Sequence, residues 1–245
     1  MSTRTTPAER RKTSLHFWNT ILLLIPLVSI FTIVLGALSL CSNLVDRRGR
    51  LAHGCARLWS RLILFVSRTR VNVRGTLPPP GTFVFASNHQ SIYDIPILFW
   101  SIPRQLRIIA KESLGRVPFM GWHLRLAGHL LVDRDNPGPG IFKRMQRLVA
   151  DDASLIVFPE GTRSRDGAVA RFKGGVFLLA IEHQLPIVPV SVEGSRHIML
   201  KDYVTVCPGR VTVTIHPPVS TAGLTRADAR DLAARVKAIV EGSAG

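Results

Sequence analysis

The sequence is poor in cysteine and in acidic side chains. Its 245 residues include three cysteines, Cys41, Cys55 and Cys207, which form no CxxC pair and no metal-ligand spacing. This pattern predicts unpaired thiols in a reducing compartment, and we expect neither a metal site nor another cofactor. Only 16 Asp and Glu residues stand against 32 Lys and Arg, which gives a formal net charge of +16. Such an imbalance indicates an anionic partner.

The position of the charge distinguishes between anionic partners. Residues 1–12 and 42–74 together carry +10 of the +16, and the stretch from residue 13 to residue 45 contains no charged side chain. Basic residues on both sides of an apolar stretch are typical of contact with anionic lipid head groups. Few aromatics are interleaved with the basic residues, and no nucleic-acid recognition motif is present. We therefore expect membrane lipids as partners, and no nucleic acid.

One apolar run, residues 17–44, is long enough to cross a bilayer, which takes about 20 residues. It is longer than the apolar part of a signal peptide, about 7–15 residues, and no A-x-A cleavage site follows. Pro26 would allow either a kinked single span or a re-entrant hairpin. The excess of basic residues after the run predicts a catalytic domain on the cytoplasmic side of the inner membrane.

The next segment, residues 50–68, mixes Arg with large apolar residues at near-helical spacing. This pattern favours a helix that lies on the membrane interface, and the alternative is a helix packed on the core of the following domain. We divide the chain into a membrane-anchoring helical region, 1–75, and a catalytic domain, 76–245, which begins at the turn signal TLPPPG.

The catalytic region alternates strand-like and helical patterns. Strands are predicted near 70–74, 82–87, 106–110, 129–132, 154–158, 187–193, 203–206 and 210–216, and helices at 92–101, 140–150 and 174–184. A closing amphipathic helix follows Thr225, which is placed to cap it together with Asp228. This order predicts an α/β fold with a mixed sheet flanked by helices.

A histidine and an aspartate stand five positions apart in SNHQSIYDIP, residues 87–96. On one helix these side chains would point about 140° apart. We therefore place His89 in a turn after a strand and Asp94 in the first turn of the next helix. A structural alternative exists for the aspartate, because Ser91-x-x-Asp94 also resembles a capping box.

A second polar turn follows the strand-like run SLIVF and reads PEGTRSRDG, up to residue 167. Ligands of α/β sheets collect at the carboxyl ends of strands. Here Gly161 would let the backbone approach a ligand, Thr162 offers a hydroxyl, and Arg163 and Arg165 offer donors suited to phosphate. The two turns together predict a substrate held between an acid/base pair and an anion site.

The motifs NHQSIYD and FPEGTRSR resemble those of the glycerolipid acyltransferases, and of the group that acylates 1-acylglycerol-3-phosphate in particular. Two further blocks resemble that family in the same order. They are AKESLGRVPFMGW, 110–122, with VDRDN, 132–136, and PIVPVSVEG, 186–194. The resemblance covers residues 88–194. For the last block, a buried core strand is at least as good an interpretation as a substrate contact.

The resemblance implies transfer of an acyl group from acyl-CoA or acyl-carrier protein to the hydroxyl of lysophosphatidate, which gives phosphatidate. It implies that His89 is the general base, that Asp94 orients it, and that Glu160, Gly161, Thr162 and Arg163 bind the glycerol phosphate. Lys111 and Arg134 would be secondary phosphate contacts, or else solvated surface charges. Three alternatives remain: another acceptor such as a lyso-ornithine lipid or other lysophospholipid, a thioester hydrolase, and a non-catalytic membrane-binding scaffold.

Overall fold

A seven-stranded sheet forms the centre of the molecule in the computed structural model, which describes residues 14–42, 44–46, 48–116, 120–132 and 140–242. The strands are β1 (Thr69–Gly75), β2 (Val84–Ser87), β3 (Leu106–Lys111), β4 (Leu130–Val132), β5 (Ser154–Val157), β6 (Ile187–Glu193) and β7 (Gly209–Ile215). Their spatial order is β1-β7-β6-β2-β5-β3-β4.

The sheet is mixed, as the sequence predicts. Neighbouring strands are parallel, except that β6 and β7 are antiparallel. Strands β2 to β6 therefore run in one direction, and their carboxyl ends lie at one edge of the sheet. In parallel α/β sheets this edge is where ligands bind, so the two motif turns that follow β2 and β5 lie side by side.

Helices cover both faces of the sheet. They are α1 (Ser14–Ser42), α2 (Arg50–Val66), α3 (Asp94–Ser101), α4 (Met120–Leu126), α5 (Gly140–Ala150), α6 (Gly175–Glu182), α7 (Ser195–Ile198) and α8 (Ala229–Glu241). One core is formed with apolar residues of α5, α6 and α8, and the other with those of α1, α2 and α3. The capping box predicted at Thr225 and Asp228 is present.

One strand prediction is wrong. Residues 203–206 form no strand, and Tyr203 and Val204 are exposed at 63% and 50%. The backbone N–H of Val206 instead donates to the hydroxyl of Thr20 in α1, at 3.0 Å. The apolar residues that suggested a strand therefore belong to a loop, which lies against the amino-terminal helix rather than beside another strand.

Helix α1 continues across Pro26. A π-helical turn, Thr20–Leu24, precedes the proline, and the N–H of Ile25 bonds to the carbonyl of Thr20. This wider turn accommodates the residue that cannot donate a hydrogen bond. Within the described residues α1 is long and apolar enough to cross a membrane, and only 11% of its most apolar window is buried. Its described course contains no hairpin.

Helix α2 is apolar on two sides. Ile63 and Leu64 are buried and belong to the same core as α3. Leu51, Leu58 and Phe65 recur every seven residues and are exposed, Phe65 at 79%. One side of α2 therefore packs on the domain core, as the alternative interpretation predicts. The opposite side carries an exposed apolar stripe.

Strand β1 lies within the region that we assigned to the membrane anchor. It pairs in parallel with β7 along its full length, from Thr69 to Gly75. The division of the chain at residues 75 and 76 stays a prediction. A division before Thr69 would keep all seven strands in one domain.

Candidate active site

The centre of the site is the pair His89 and Asp94. Strand β2 ends at Ser87, the chain turns, and α3 begins at Asp94, so the aspartate lies in the first turn of the helix as the sequence predicts. The Nδ1 atom of His89 lies 2.8 Å from Oδ2 of Asp94. A carboxylate only accepts, so Nδ1 carries the hydrogen of the neutral ring and Nε2 has a free lone pair. The pair is thus arranged for proton acceptance at Nε2.

The turn fixes the carboxylate of Asp94. The side chain is fully buried, and its Oδ2 also accepts the backbone N–H groups of Gln90 at 2.7 Å and Ser91 at 2.9 Å. The Ser91 hydroxyl accepts the N–H of Tyr93 at 3.3 Å and donates to the carbonyl of Met199 at 2.8 Å. Half of a capping box is therefore present, because the N–H of Asp94 donates to the carbonyl of Ser91 and not to its hydroxyl. The carboxylate that holds the turn also holds the imidazole.

Two neighbours restrict the histidine further. The ring of Phe158 stacks on His89, with centroids 4.0 Å apart and planes 19° from parallel. The buried side chain of Asn88 donates to the carbonyl of Val192 at 2.9 Å and accepts its N–H at 2.8 Å. The turn is thereby attached to β6. Asn88 belongs to the motif itself, yet its role depends on a strand about 100 positions away, so the local sequence carries no signal for it.

Glu160 connects the two motif turns. Its buried carboxylate accepts the N–H of His89 on Oε1 at 2.7 Å and the N–H of Ala170 on Oε2 at 2.8 Å. Burial raises the pKa of Glu160, and the N–H groups of Ala170 and His89 oppose that rise. A second hydrogen bond joins the two turns: the N–H of Ser164 donates to the carbonyl of His89 at 2.7 Å. Both oxygens of Glu160 therefore bind backbone groups, which differs from the phosphate contact that the resemblance implies.

The rest of the turn faces outward. Gly161 has φ +77°, and a Cβ there would come within 3.2 Å of Lys173, so the conformation and the space both favour glycine. Thr162 is exposed and Arg163 is partly exposed. Further along the turn, from Ser164 onward, is a groove of about 580 Å³ whose lining includes Arg165 and Arg196 together with Asp166. This side of the turn offers a hydroxyl and cationic donors to an anion.

Two expected contacts are less closely placed. Lys111 is the last residue of β3 and is exposed at the same edge of the sheet. Arg134 lies outside the described residues. The last motif block, PIVPVSVEG, forms β6, which is buried from Ile187 to Val192, in agreement with its interpretation as a core strand.

Fold and site together define a class of protein. A mixed α/β sheet with a histidine paired to a buried carboxylate, beside a cationic, glycine-containing turn, is typical of an enzyme that removes a proton from a substrate bound through an anionic group.

Comparison with known proteins agrees with this class. The family model described as Acyltransferase matches residues 69–193. The 1-acyl-sn-glycerol-3-phosphate acyltransferase alpha of Homo sapiens is 36% identical over 186 residues, which cover 74% of this chain and 66% of the relative. The 1-acyl-sn-glycerol-3-phosphate acyltransferase of Cocos nucifera is 33% identical over 164 residues, which cover 66% of this chain and 53% of the relative.

A solved structure extends the likeness to the whole fold. The crystal structure of the 1-acyl-sn-glycerophosphate (LPA) acyltransferase PlsC from Thermotoga maritima superposes with a TM-score of 0.78 at 27% identity, over 93% of this chain and 95% of that one. The chain thus belongs to the acyltransferase family, and the resemblance seen in its motifs is confirmed. It spans between about half and two thirds of the length of these two curated relatives.

Proposed function

We propose that the protein transfers an acyl group from a thioester to the free hydroxyl of 1-acylglycerol-3-phosphate and so produces phosphatidate. The observation that carries this proposal is the hydrogen-bonded pair His89–Asp94 held against the turn that contains Arg163. The printed names of the relatives support the same acceptor. We expect acyl-CoA or acyl-carrier protein as the acyl donor.

The proposed reaction needs no covalent enzyme intermediate. Nε2 of His89 accepts the proton of the acceptor hydroxyl while the oxygen attacks the thioester carbonyl, and the tetrahedral intermediate then expels the thiolate. The imidazolium returns the proton to the leaving sulfur. Asp94 keeps the ring in the required tautomer and stabilises its positive form, as the aspartate does in a Ser-His-Asp triad, with the substrate hydroxyl in place of the serine.

The remaining side chains divide into binding and positioning roles. Gly161, Thr162 and Arg163 would bind the phosphate of the acceptor, and Lys111 and Arg134 would be outer contacts. Glu160 holds the backbone of His89, because both its oxygens already bind N–H groups. We therefore assign it a positioning role in place of a phosphate contact.

We further propose that the protein acts at the inner membrane with this site on the cytoplasmic side. Support comes from the exposed apolar surface of α1 and from the basic residues that follow it. Positively charged flanks are retained on the cytoplasmic side of a membrane.

The test is an acyl-transfer assay with purified protein, labelled acyl-CoA and a panel of lysolipids, with products separated by chromatography. We expect labelled phosphatidate from the wild type. His89→Ala should reduce the rate by about 10²–10⁴-fold, the usual contribution of a general base, and Asp94→Asn should also be severely impaired.

Each of the three alternatives has its own result in that assay, and the absence of any labelled product would indicate a non-catalytic scaffold. Labelled free fatty acid as the main product would indicate a hydrolase, and another acylated lysolipid would change the acceptor. If purified His89→Ala kept nearly the wild-type rate, the proposed mechanism would be wrong.

A further inference from the structure

The segment between β6 and β7 is anchored at two points, one in the catalytic turn and one in α1. The carbonyl of Met199 accepts the hydroxyl of Ser91 at the start of the catalytic turn, at 2.8 Å. The N–H of Val206 bonds to Thr20 in α1. Lys201 lies between these two anchored points, so the backbone around it is held in place relative to the histidine.

The Lys201 side chain lies on the candidate phosphate turn. Its Nζ donates to the hydroxyl of Thr162 at 3.1 Å and to the carbonyl of Arg163 at 2.9 Å, and the residue is partly buried. An ammonium group has three hydrogens, and these contacts use two of them. No described carboxylate forms an ion pair with Lys201, whereas the adjacent Asp202 pairs with Arg165 at 3.3 Å. The positive charge of Lys201 is therefore not neutralised.

The charge of the expected ligand calls for a second cation. A phosphate monoester carries about −1.5 to −2 at neutral pH. Arg163 is the one cation that we have placed in direct contact with it, because Lys111 and Arg134 are proposed only as outer contacts. The carboxylate in the turn, Glu160, has both oxygens bonded to backbone N–H groups, so it is not an ion-pair partner of Lys201. A lysine is a compact point charge that can keep its bond to a carbonyl while its third hydrogen reaches a phosphate oxygen.

We propose that Lys201 is a second cationic residue for the acceptor phosphate, and that it also holds the 160–163 turn in its binding conformation. This proposal rests on the proposed function, because it takes a phosphate-bearing acceptor as the ligand. The sequence contains no local sign of it, since Lys201 lies 38 positions after Arg163 in a loop.

Lys201→Met tests the proposal, because methionine keeps a similar length and removes the charge. We expect kcat/KM for lysophosphatidate to fall about 10- to 100-fold, which corresponds to the loss of one hydrogen bond to a charged group. Acylation of monoacylglycerol, which has the same hydroxyl without the phosphate, should change little. Lys201→Arg should recover part of the loss because it keeps the charge. The matched control is Lys237→Met on α8, whose lysine pairs with Glu241.

A binding measurement separates this proposal from the proposed function. In a His89→Ala background the dissociation constant of short-chain lysophosphatidate in micelles of fixed composition should rise about 10-fold or more when Lys201→Met is added. An unchanged constant would overturn the role of Lys201, and so would an equal loss on both acceptors with a lower melting temperature. A wild type that binds lysophosphatidate without acylating it would contradict the proposed function alone.

Discussion

The residue with the most consequential contacts is Glu160, which belongs to one motif and holds the histidine of the other. A side chain that binds substrate and one that positions the base should respond differently to substitution. If Arg163 binds the acceptor phosphate as proposed, Arg163→Ala should reduce activity on phosphate-bearing acceptors alone. Glu160 contacts the backbone of the base, so its substitution should affect the reaction with every acceptor.

We therefore predict that Glu160→Gln lowers turnover on lysophosphatidate and monoacylglycerol by the same factor, about tenfold or more. The amide cannot accept on both sides, so one of the N–H groups of His89 and Ala170 loses its partner. An N–H group that loses its partner costs about 1–3 kcal/mol when it is fully buried. Both of these hydrogen bonds are part-buried, so the melting temperature should fall by less than that range implies. Assays of both acceptors with the two variants, Glu160→Gln and Arg163→Ala, measure the difference. If Glu160→Gln lowered turnover on lysophosphatidate but not on monoacylglycerol, Glu160 would be a phosphate contact and not a positioning residue.

At the residue scale, the sequence is sufficient to identify His89, Asp94 and the glycine turn, because the relevant spacing is local. The partners of these residues are not local. Lys201 and Phe158 reach the site only because the chain folds so that their segments lie beside it. A single sequence carries no pattern for such contacts.

At the scale of elements, α1 has two roles that a truncation can separate. Its exposed side is apolar enough for a membrane, and Leu24 on its other side belongs to the core that includes residues of α2 and α3. The sequence predicts the strands buried on both faces because they are short continuous apolar runs, and it predicts the amphipathic helices because their periodicity is strong. The error at 203–206 arose because an apolar loop under α1 has the same composition as a strand.

We predict that deletion of residues 1–45 weakens membrane attachment without abolishing it. The Arg residues of 47–74 should still bind anionic vesicles, at about 1 kcal/mol for each residue near the surface. Salt should release the truncated protein but not the intact one, because salt screens charge and does not affect apolar insertion. The measurement is flotation with neutral and anionic vesicles at low and high salt.

The structure adds a second expectation for that truncation. Without Leu24 and the hydrogen bond from Val206 to Thr20, the melting temperature in detergent should be lower than that of the intact chain. A truncated protein that floats equally with neutral and anionic vesicles at any salt would contradict the electrostatic account. In that case the exposed stripe of Leu51, Leu58 and Phe65 would be sufficient for attachment.

At the scale of the whole molecule, two histidines lie against β3: the buried His53 on α2, and the partly buried His129 just before β4. Nδ1 of His53 accepts the N–H of Leu106 at 3.4 Å, and Nδ1 of His129 accepts the N–H of Ile108 at 3.1 Å. Both donors are on β3. Burial, followed by the charges of Arg107 and Arg57, lowers the pKa of His53 to about 4. Burial and the charge of Arg107 also hold the pKa of His129 well below its ordinary value. Both rings must be neutral in the folded protein, because a protonated ring cannot accept a hydrogen bond.

The stability of the protein should therefore decrease in mild acid. An unfolded histidine has a pKa near 6.5, so the contribution of His53 is present above that pH and is lost as the pH falls through about 4. A difference of this size corresponds to about 3 kcal/mol of unfolding free energy. We predict that His53→Gln, whose amide oxygen can accept the same hydrogen bond, flattens the dependence, whereas the exposed His197→Gln does not. Denaturation in detergent from pH 7.5 to pH 4 measures this, and equal slopes in all three proteins would refute it.

The hydrogen bonds between the two motif turns determine which segments of this protein can be exchanged with those of a related enzyme. Glu160 binds the N–H of His89, and Ser164 binds its carbonyl, so the peptide that carries the base has its conformation set by a segment about 70 residues later. A chimera that takes only the first turn from a related enzyme would place the histidine of that enzyme against the Glu160 and Ser164 of this one. Exchanges that move both turns together should yield active hybrids far more often than exchanges that move either one. Directed evolution of acceptor choice is therefore best started from libraries that vary the two segments jointly.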